Sequence, residues 1–173
     1  MLVAVVGASG AGKDTVLDGL RAALAGDQHI VFACRAITRG DQAGGEAHEA
    51  LTEAEFASRD FALQWQAHGL HYGIPRSIEA DLAAGRVVLA TLSRHVLADA
   101  AARYPLAVLH ITAPPAIRAA RLAARGREDA ADIAARLARE APLPDGPRVL
   151  RVVNDTTPDA AIAQALALLR ALD

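Results

Sequence analysis

The residues best equipped for chemistry come in one run, Gly7-Ala8-Ser9-Gly10-Ala11-Gly12-Lys13-Asp14-Thr15. Its glycines let a loop curl so that several backbone N–H groups face one anion, and Lys13 adds a full positive charge. A short apolar run, Leu2–Val6, precedes it, and an apolar helical spacing, Val16-Leu17…Leu20…Leu24, follows it. A helix starting there turns its partial positive end toward the same anion. A glycine-rich turn alone would be only a connector; strand, loop, lysine and helix together make a phosphate-binding P-loop. The residue after the lysine, usually the Ser or Thr that holds magnesium, is Asp14 here, with Thr15 next. Both are candidates to position magnesium, directly or through water.

Two further clusters carry charge. Arg35, Arg39, Glu46, His48, Gln64, His71 and Tyr72 all fall in a polar stretch at 35–74. Arg35 leaves the end of the second apolar run, the edge where ligands of open α/β sheets bind. Arg35 and Arg39, four apart, could fork onto one phosphate or stay as solvated loop charges; following a strand in a P-loop chain favours the fork. His48 could touch substrate or face water, and Tyr72 could serve a ligand or bond locally in its turn. The second cluster, at 116–141, holds Arg118, Arg121, Arg125, Arg127, Arg136 and Arg139 in a helix–turn–helix pattern. Arg121 and Arg125 share a helix face. These arginines could pair with Glu128, Asp129, Asp132 and Glu140 on an exposed surface. With a P-loop upstream, the better reading is a lid that closes over a phosphoryl group in flight. No competing chemistry stands out. Zinc-ligand spacings are absent, and Gly7-x-Ser9-x-Ala11 misses the nucleophile elbow by its last residue.

Holding these groups in place calls for short buried strands alternating with helices. The apolar runs Leu2–Val6, Ile30–Cys34, Val87–Thr91, Ala107–Thr112 and Val149–Val153 predict strands buried on both faces. Helical spacing covers Lys13–Leu24, Thr52–Ser58, Pro75–Ala84, Arg94–Arg103, Pro115–Arg125, Asp129–Glu140 and Asp159–Leu172. The series predicts an α/β fold of the P-loop NTP-binding kind, three-layered α/β/α, with a mostly parallel five-stranded sheet. Phe61–Gln66 and Leu70–Gly73 predict a hairpin turning at His68-Gly69. A polar insertion this long inside a compact domain predicts a substrate-binding flap. With 173 residues, the chain is expected to be one domain, 1–173, with an insertion at 35–74 and a lid at 116–141. Aromatics are only 3%, so Ala, Leu and Val must fill the core. A net charge of -2 gives no sign of a nucleic-acid partner. The single cysteine, Cys34, excludes an intrachain disulfide and is expected to be a small hydrophobe ending a strand. No apolar run is long enough to span a membrane and no signal peptide is evident, so a soluble cytoplasmic protein is expected. Oligomeric state is left open, a homodimer included.

Taken in order, the landmarks resemble the guanylate-kinase-like branch of P-loop kinases. They are Gly-x-Ser-Gly-x-Gly-Lys at 7–13, Ile37-Thr38-Arg39, Gly45-Glu46, Glu55-Phe56, Trp65 with Gly69-x-x-Tyr72-Gly73, and Ala113-Pro114-Pro115. Arg121-Leu122-x-x-Arg125-Gly126-Arg127, Arg136-Leu137 and Val153-Asn154-Asp155 complete the series. The chain departs from guanylate kinases at telling places. Their guanine-recognising glutamate is Gln64, their phosphate-binding tyrosine is His48, and their acidic pair after the third strand is Thr91-Leu92-Ser93-Arg94. Within the branch, Gly12-Lys13-Asp14, His48-Glu49, Trp65 with Tyr72-Gly73, Ser93-Arg94 and Arg125-Gly126-Arg127-Glu128 resemble the ribose 1,5-bisphosphate phosphokinases of bacterial phosphonate degradation.

That resemblance implies ATP and magnesium as cofactors and small-molecule substrates only, with neither nucleic acid nor membrane as partner. It implies transfer from ATP to ribose 1,5-bisphosphate, giving 5-phosphoribosyl 1-diphosphate. Residues 7–15 and Asn154 would bind nucleotide. Lys13, Arg121, Arg125, Arg127 and Arg136 would act in transfer. Arg35, Arg39, Glu46, His48, Gln64, Tyr72, Ser93 and Arg94 would bind the acceptor. The acceptor phosphate is already ionised, so no strong general base is required. Two alternatives stay open: a nucleoside monophosphate kinase of altered base preference, decided around Gln64 and Thr91, and a non-catalytic binding module.

Overall fold

The computed structural model describes residues 1–39, 48–124 and 143–172. Five strands form a parallel sheet: β1 (Leu2–Gly7), β2 (Ile30–Phe32), β7 (Val87–Thr91), β8 (Leu106–Thr112) and β9 (Arg148–Val153), in the order β2-β7-β1-β8-β9. The order explains their composition. Central β1 is an unbroken aliphatic run with Leu2–Val6 all buried. The two edge strands correct the expectation of burial on both faces. All three β2 residues are half-buried, and β9 alternates, with Leu150 and Val152 buried but Val149 and Val153 exposed. β9 thus shows the period of two of a strand with one face buried and one toward solvent, whereas β2, three residues long, shows none.

The chain divides into two compact units, and each is described by itself. The first comprises Met1–Ala4, Gly26–Ala107 and Pro144–Pro147. Here the chain differs from the simple expectation. β2 ends at Phe32, and Arg35–Ile37 is a separate strand, β3, of a second sheet. The chain leaves one sheet for the other at Ala33-Cys34, so Arg35 opens a new strand. Cys34 lies exposed outside any strand and is not the expected buried hydrophobe. The second sheet adds β4 (His48–Ala50), β5 (Phe61–Ala67) and β6 (Leu70–Pro75), in the order β4-β3-β6-β5. β5 and β6 are the expected hairpin. Its two turn residues, His68 (φ 53) and Gly69 (φ 72), both take the left-handed region that a tight two-residue turn requires.

Helix α2 (Glu53–Ala57) is started by a capping box, in which Thr52 Oγ1 accepts from the Glu55 N–H and Glu55 accepts from the Thr52 N–H. Those bonds hold the Glu55 carboxyl below its ordinary pKa, the Thr52 backbone bond most of all. Its Phe56 stacks on Phe61 with ring centroids 4.4 Å apart and is buried with Ala36 and Leu51. Gly73 lets Phe61 lie over the sheet, since a Cβ there would meet the ring at 2.5 Å. Helices α3 (Ser77–Ala83) and α4 (Leu97–Arg103) follow, α4 behind a 3-10 turn at Arg94–Val96. Arg76 bonds Asp60 at 2.5 Å and Glu79 at 3.0 Å, and the Tyr104 hydroxyl donates to Glu79 at 2.9 Å. This chain of contacts ties the foot of the hairpin to α3 and to the end of α4. Partial burial raises the Tyr104 pKa, and the neighbouring Glu79 carboxylate adds to the rise.

The second unit comprises Val5–Ala25, Val108–Leu143 and Arg148–Asp173. It holds α1 (Lys13–Ala23), α5 (Pro115–Ala124) and α6 (Pro158–Arg170). Helix α1 buries Val16, Leu17 and Leu20 at one-turn spacing. It meets α6 where Gly19 leaves room for the Ile162 side chain. Thr157 caps α6 by accepting from the Ala160 N–H at 3.2 Å. Among the described residues, no helix is long and apolar enough to cross a membrane. The helix expected at Asp129–Glu140 lies outside the described residues, as do Glu46, Arg125, Arg127 and Arg136.

Candidate active site

The glycine-rich loop, residues 7–12, lies in the second unit, and its glycines are there for space as well as curvature. Gly10 (φ 80) and Gly12 (φ 83) hold left-handed backbone that other residues rarely adopt. A Cβ on Gly7 would meet the Ile111 carbonyl at 2.6 Å, and one on Gly10 the Arg118 carbonyl at 2.8 Å. A Cβ on Gly12 would run into the Asn154 amide. Gly12 is also the N-cap of α1 and supplies no capping side chain. A helix start of this kind, behind a glycine-rich loop, suits a phosphate. Lys13 opens α1, its Nζ 2.5 Å from the Asp14 carboxylate, and Thr15 follows on the exposed surface.

Three side chains brace this loop from behind. Asn154, just past β9, is 3% exposed; its Nδ2 donates to the Ala11 carbonyl at 2.9 Å and its own N–H to Thr112 at 2.8 Å. Arg121 reaches the Asn154 Oδ1 at 3.4 Å and the Ala11 carbonyl at 3.5 Å. Arg118 is 3% exposed, and its Nε donates to the Ser9 carbonyl at 3.1 Å. Sequence reasoning placed Arg118 among the lid arginines. The structure places it under the loop, alongside buried Leu122 one turn on. A charged residue inside an apolar helical stripe was the available signal.

The acceptor-side candidates lie in the first unit. Strand pairing sets Arg35 beside His48, Ile37 beside Tyr72, and Tyr72 opposite Trp65. Because side chains alternate along a strand, His48, Arg35, Tyr72 and Trp65 share one face of the four strands, with Arg35 diagonal to Tyr72, two residues from its direct neighbour Ile37. All four are half-buried. The Tyr72 and Trp65 rings stack at 5.4 Å and 5° between planes, and the Arg35 guanidinium lies over the Tyr72 ring at 5.2 Å. Thr38 exchanges bonds with the His71 backbone at 2.8 and 3.0 Å, which fixes the exit of β3 where Arg39 stands half-buried. Ser93 accepts from the His95 N–H at 3.4 Å and so starts the 3-10 turn that carries Arg94; this turn packs against β5.

Gln64 does not share that face. It pairs with Gly73 and so points to the opposite face, with Gln66 and His71, where with Phe56 and Trp65 they line a cavity of about 280 Å³. Glu49 points to that face as well and pairs with Arg59 at 2.7 Å. Among the described residues of these four strands, the face of Arg35 and Tyr72 therefore carries no carboxylate. No group of three or more His, Cys, Asp or Glu able to hold a metal ion occurs among the described residues. Asp14 and Thr15, at the mouth of the loop, remain the candidates for magnesium beside a nucleotide's phosphates.

Known proteins match this picture. No family model matches the chain. A ribose 1,5-bisphosphate phosphokinase PhnN of Acidiphilium cryptum (strain JF-5) is 54% identical over 168 residues, 97% of this chain and 91% of that protein. A PhnN of Methylobacterium radiotolerans is 45% identical, over 98% of this chain and 97% of that one. A bifunctional ribose 1,5-bisphosphokinase-thymidine phosphorylase of Azorhizobium caulinodans is 50% identical, and the chain spans 25% of its length. Among solved structures, guanylate kinase from Anaplasma phagocytophilum superposes with a TM-score of 0.65 at 18% identity, covering 99% of this chain and 85% of that one. That likeness shows the fold, an α/β kinase architecture in agreement with the order of strands and helices. The identities along almost the whole length show more: the chain is a phosphotransferase and belongs to the ribose 1,5-bisphosphate phosphokinase family.

Proposed function

We propose that this chain transfers the γ-phosphoryl group of ATP to the 1-phosphate of ribose 1,5-bisphosphate, forming 5-phosphoribosyl 1-diphosphate and ADP, in phosphonate breakdown. The acceptor phosphate oxygen attacks the γ-phosphorus, a new P–O–P bond forms, and the bond to the β-phosphate oxygen breaks. The candidate residues for ATP lie in one unit and those for the acceptor in the other. Residues 7–15 cradle the phosphates of ATP, and Lys13 neutralises charge between β and γ. Magnesium, held at Asp14 and Thr15, would draw off charge from the same oxygens. Asn154, Arg121 and Arg118 keep the loop carbonyls turned back, so that N–H groups rather than oxygens face the nucleotide. Arg35, Arg39 and His48 grip acceptor phosphate. The lid arginines Arg125, Arg127 and Arg136 exclude water and stabilise the group in transfer. With ATP as donor, the reaction belongs in the cytoplasm.

One observation favours a sugar phosphate over a guanine nucleotide. Among the described residues, the face of the second sheet that gathers Arg35, His48 and Tyr72 offers a guanidinium, an imidazole and a hydroxyl but no carboxylate to accept the N1–H and N2–H₂ donors of guanine. Mispairing of such donors costs about 1–3 kcal/mol each. Side-by-side rates with ribose 1,5-bisphosphate and GMP test the reading. Strong turnover of the former and little of the latter is expected; a preference for GMP overturns it.

A further inference from the structure

We infer that Trp65 is a positioning residue for the acceptor, acting through Tyr72 on Arg35. The inference rests on the acceptor reading above and extends it to a side chain that need not touch substrate. Strand order carries the argument. β6 lies between β3 and β5, so Tyr72 has Arg35 diagonally across on the β3 side, two residues from Ile37, and Trp65 directly opposite on the β5 side. The guanidinium lies 5.2 Å from the ring centroid and the indole stacks at 5.4 Å, tilted by only 5°. The Tyr72 ring thus has a cation and an aromatic ring as neighbours from the two flanking strands. A platform of this kind offers donors to phosphate oxygens. Trp65 is the wall that keeps Tyr72 upright, and Tyr72 in turn orients the flat guanidinium, whose fork needs a fixed plane to grip two oxygens. An arginine with a long free stem gives up rotamer freedom on binding; one already stacked gives up less.

The experiment compares Trp65→Phe, Trp65→Leu and the double variant Trp65→Leu/Arg35→Ala with wild type and Arg35→Ala, measuring kcat and the KM of each substrate. Trp65→Leu is expected to raise the acceptor KM about three- to tenfold while leaving the KM of ATP unchanged. Trp65→Phe, which keeps a stacked ring, is expected to restore the wild-type value. In the Arg35→Ala background the Trp65→Leu effect should vanish, because its route of action is gone. Additive effects of the two substitutions, or equal losses for Trp65→Phe and Trp65→Leu, overturn the inference. Trp65 is also the sole tryptophan, so its emission reports its own surroundings without labelling. Its emission should change on adding ribose 1,5-bisphosphate and stay unchanged with ATP; the reverse overturns the inference. If GMP proves the better acceptor, the function reading fails on its own; the same KM comparison with GMP then still decides the role of Trp65.

Discussion

The Lys13 ammonium contacts the Asp14 carboxylate at 2.5 Å, so a nucleotide must draw it away from an adjacent negative charge. Partly exposed pairs of this kind contribute little to stability, and the cost falls on function. Lys13→Ala should therefore keep the wild-type melting temperature and lose about 100-fold or more in turnover. A folded variant with normal rate would contradict the P-loop assignment. Asp14 stands in the usual magnesium position but also repels phosphate. Asp14→Ser should shift the magnesium dependence of turnover, and superimposable magnesium curves would count against a metal role. Asn154→Ala acts differently, because it strips a buried carbonyl at Ala11 of its donor. A loss of about 1–3 kcal/mol in stability is expected, together with a raised KM for ATP and an unchanged KM for acceptor.

At the scale of elements, the chain Asp60–Arg76–Glu79–Tyr104 fastens the foot of the β5–β6 hairpin. Folding raises the Tyr104 pKa above its ordinary 10.0, so its stabilising effect is complete below that value and is lost as pH climbs through the folded pKa. The melting temperature of wild type should accordingly fall above about pH 10 more steeply than that of Tyr104→Phe. Arg125 and Arg127, outside the described residues, flank Gly126 in the expected lid turn. Alanine at either should cut kcat at least tenfold with little change in melting temperature. The opposite pattern would make them surface arginines of a paired helix. Long aliphatic runs and helical spacing made all five strands of the parallel sheet and α1, α5 and α6 legible in the sequence. β3 and β4 were not legible. Arg35–Ile37 and His48–Ala50 are short and contain charged residues, so no apolar run marks them as Ile30–Phe32 is marked. The loop residues 7–13 declared themselves through glycine spacing. The brace at Arg118 and the facing of Gln64 did not, since both depend on register and on which side of an element meets its neighbour.

For the whole molecule, the candidate donor residues fall in one compact unit and most candidate acceptor residues in the other. Binding should register separately in each. A non-hydrolysable ATP analogue should slow amide exchange at 7–15, 118–124 and around 154, whereas ribose 1,5-bisphosphate should slow it at 35–39, 48–50 and 64–73. Identical footprints from both ligands would contradict that division. The two-residue turn at His68-Gly69 has a consequence of its own for how such kinases diverge. Strand side chains alternate, so one residue gained or lost near this turn and absorbed by slippage of β5 would exchange its faces. Trp65 would leave the face it shares with Tyr72, and Gln64 or Gln66 would take its place. Descendants of one ancestral hairpin could thus trade an aromatic wall for an amide without any point substitution in the pocket, and the length of this turn becomes a heritable determinant of substrate choice.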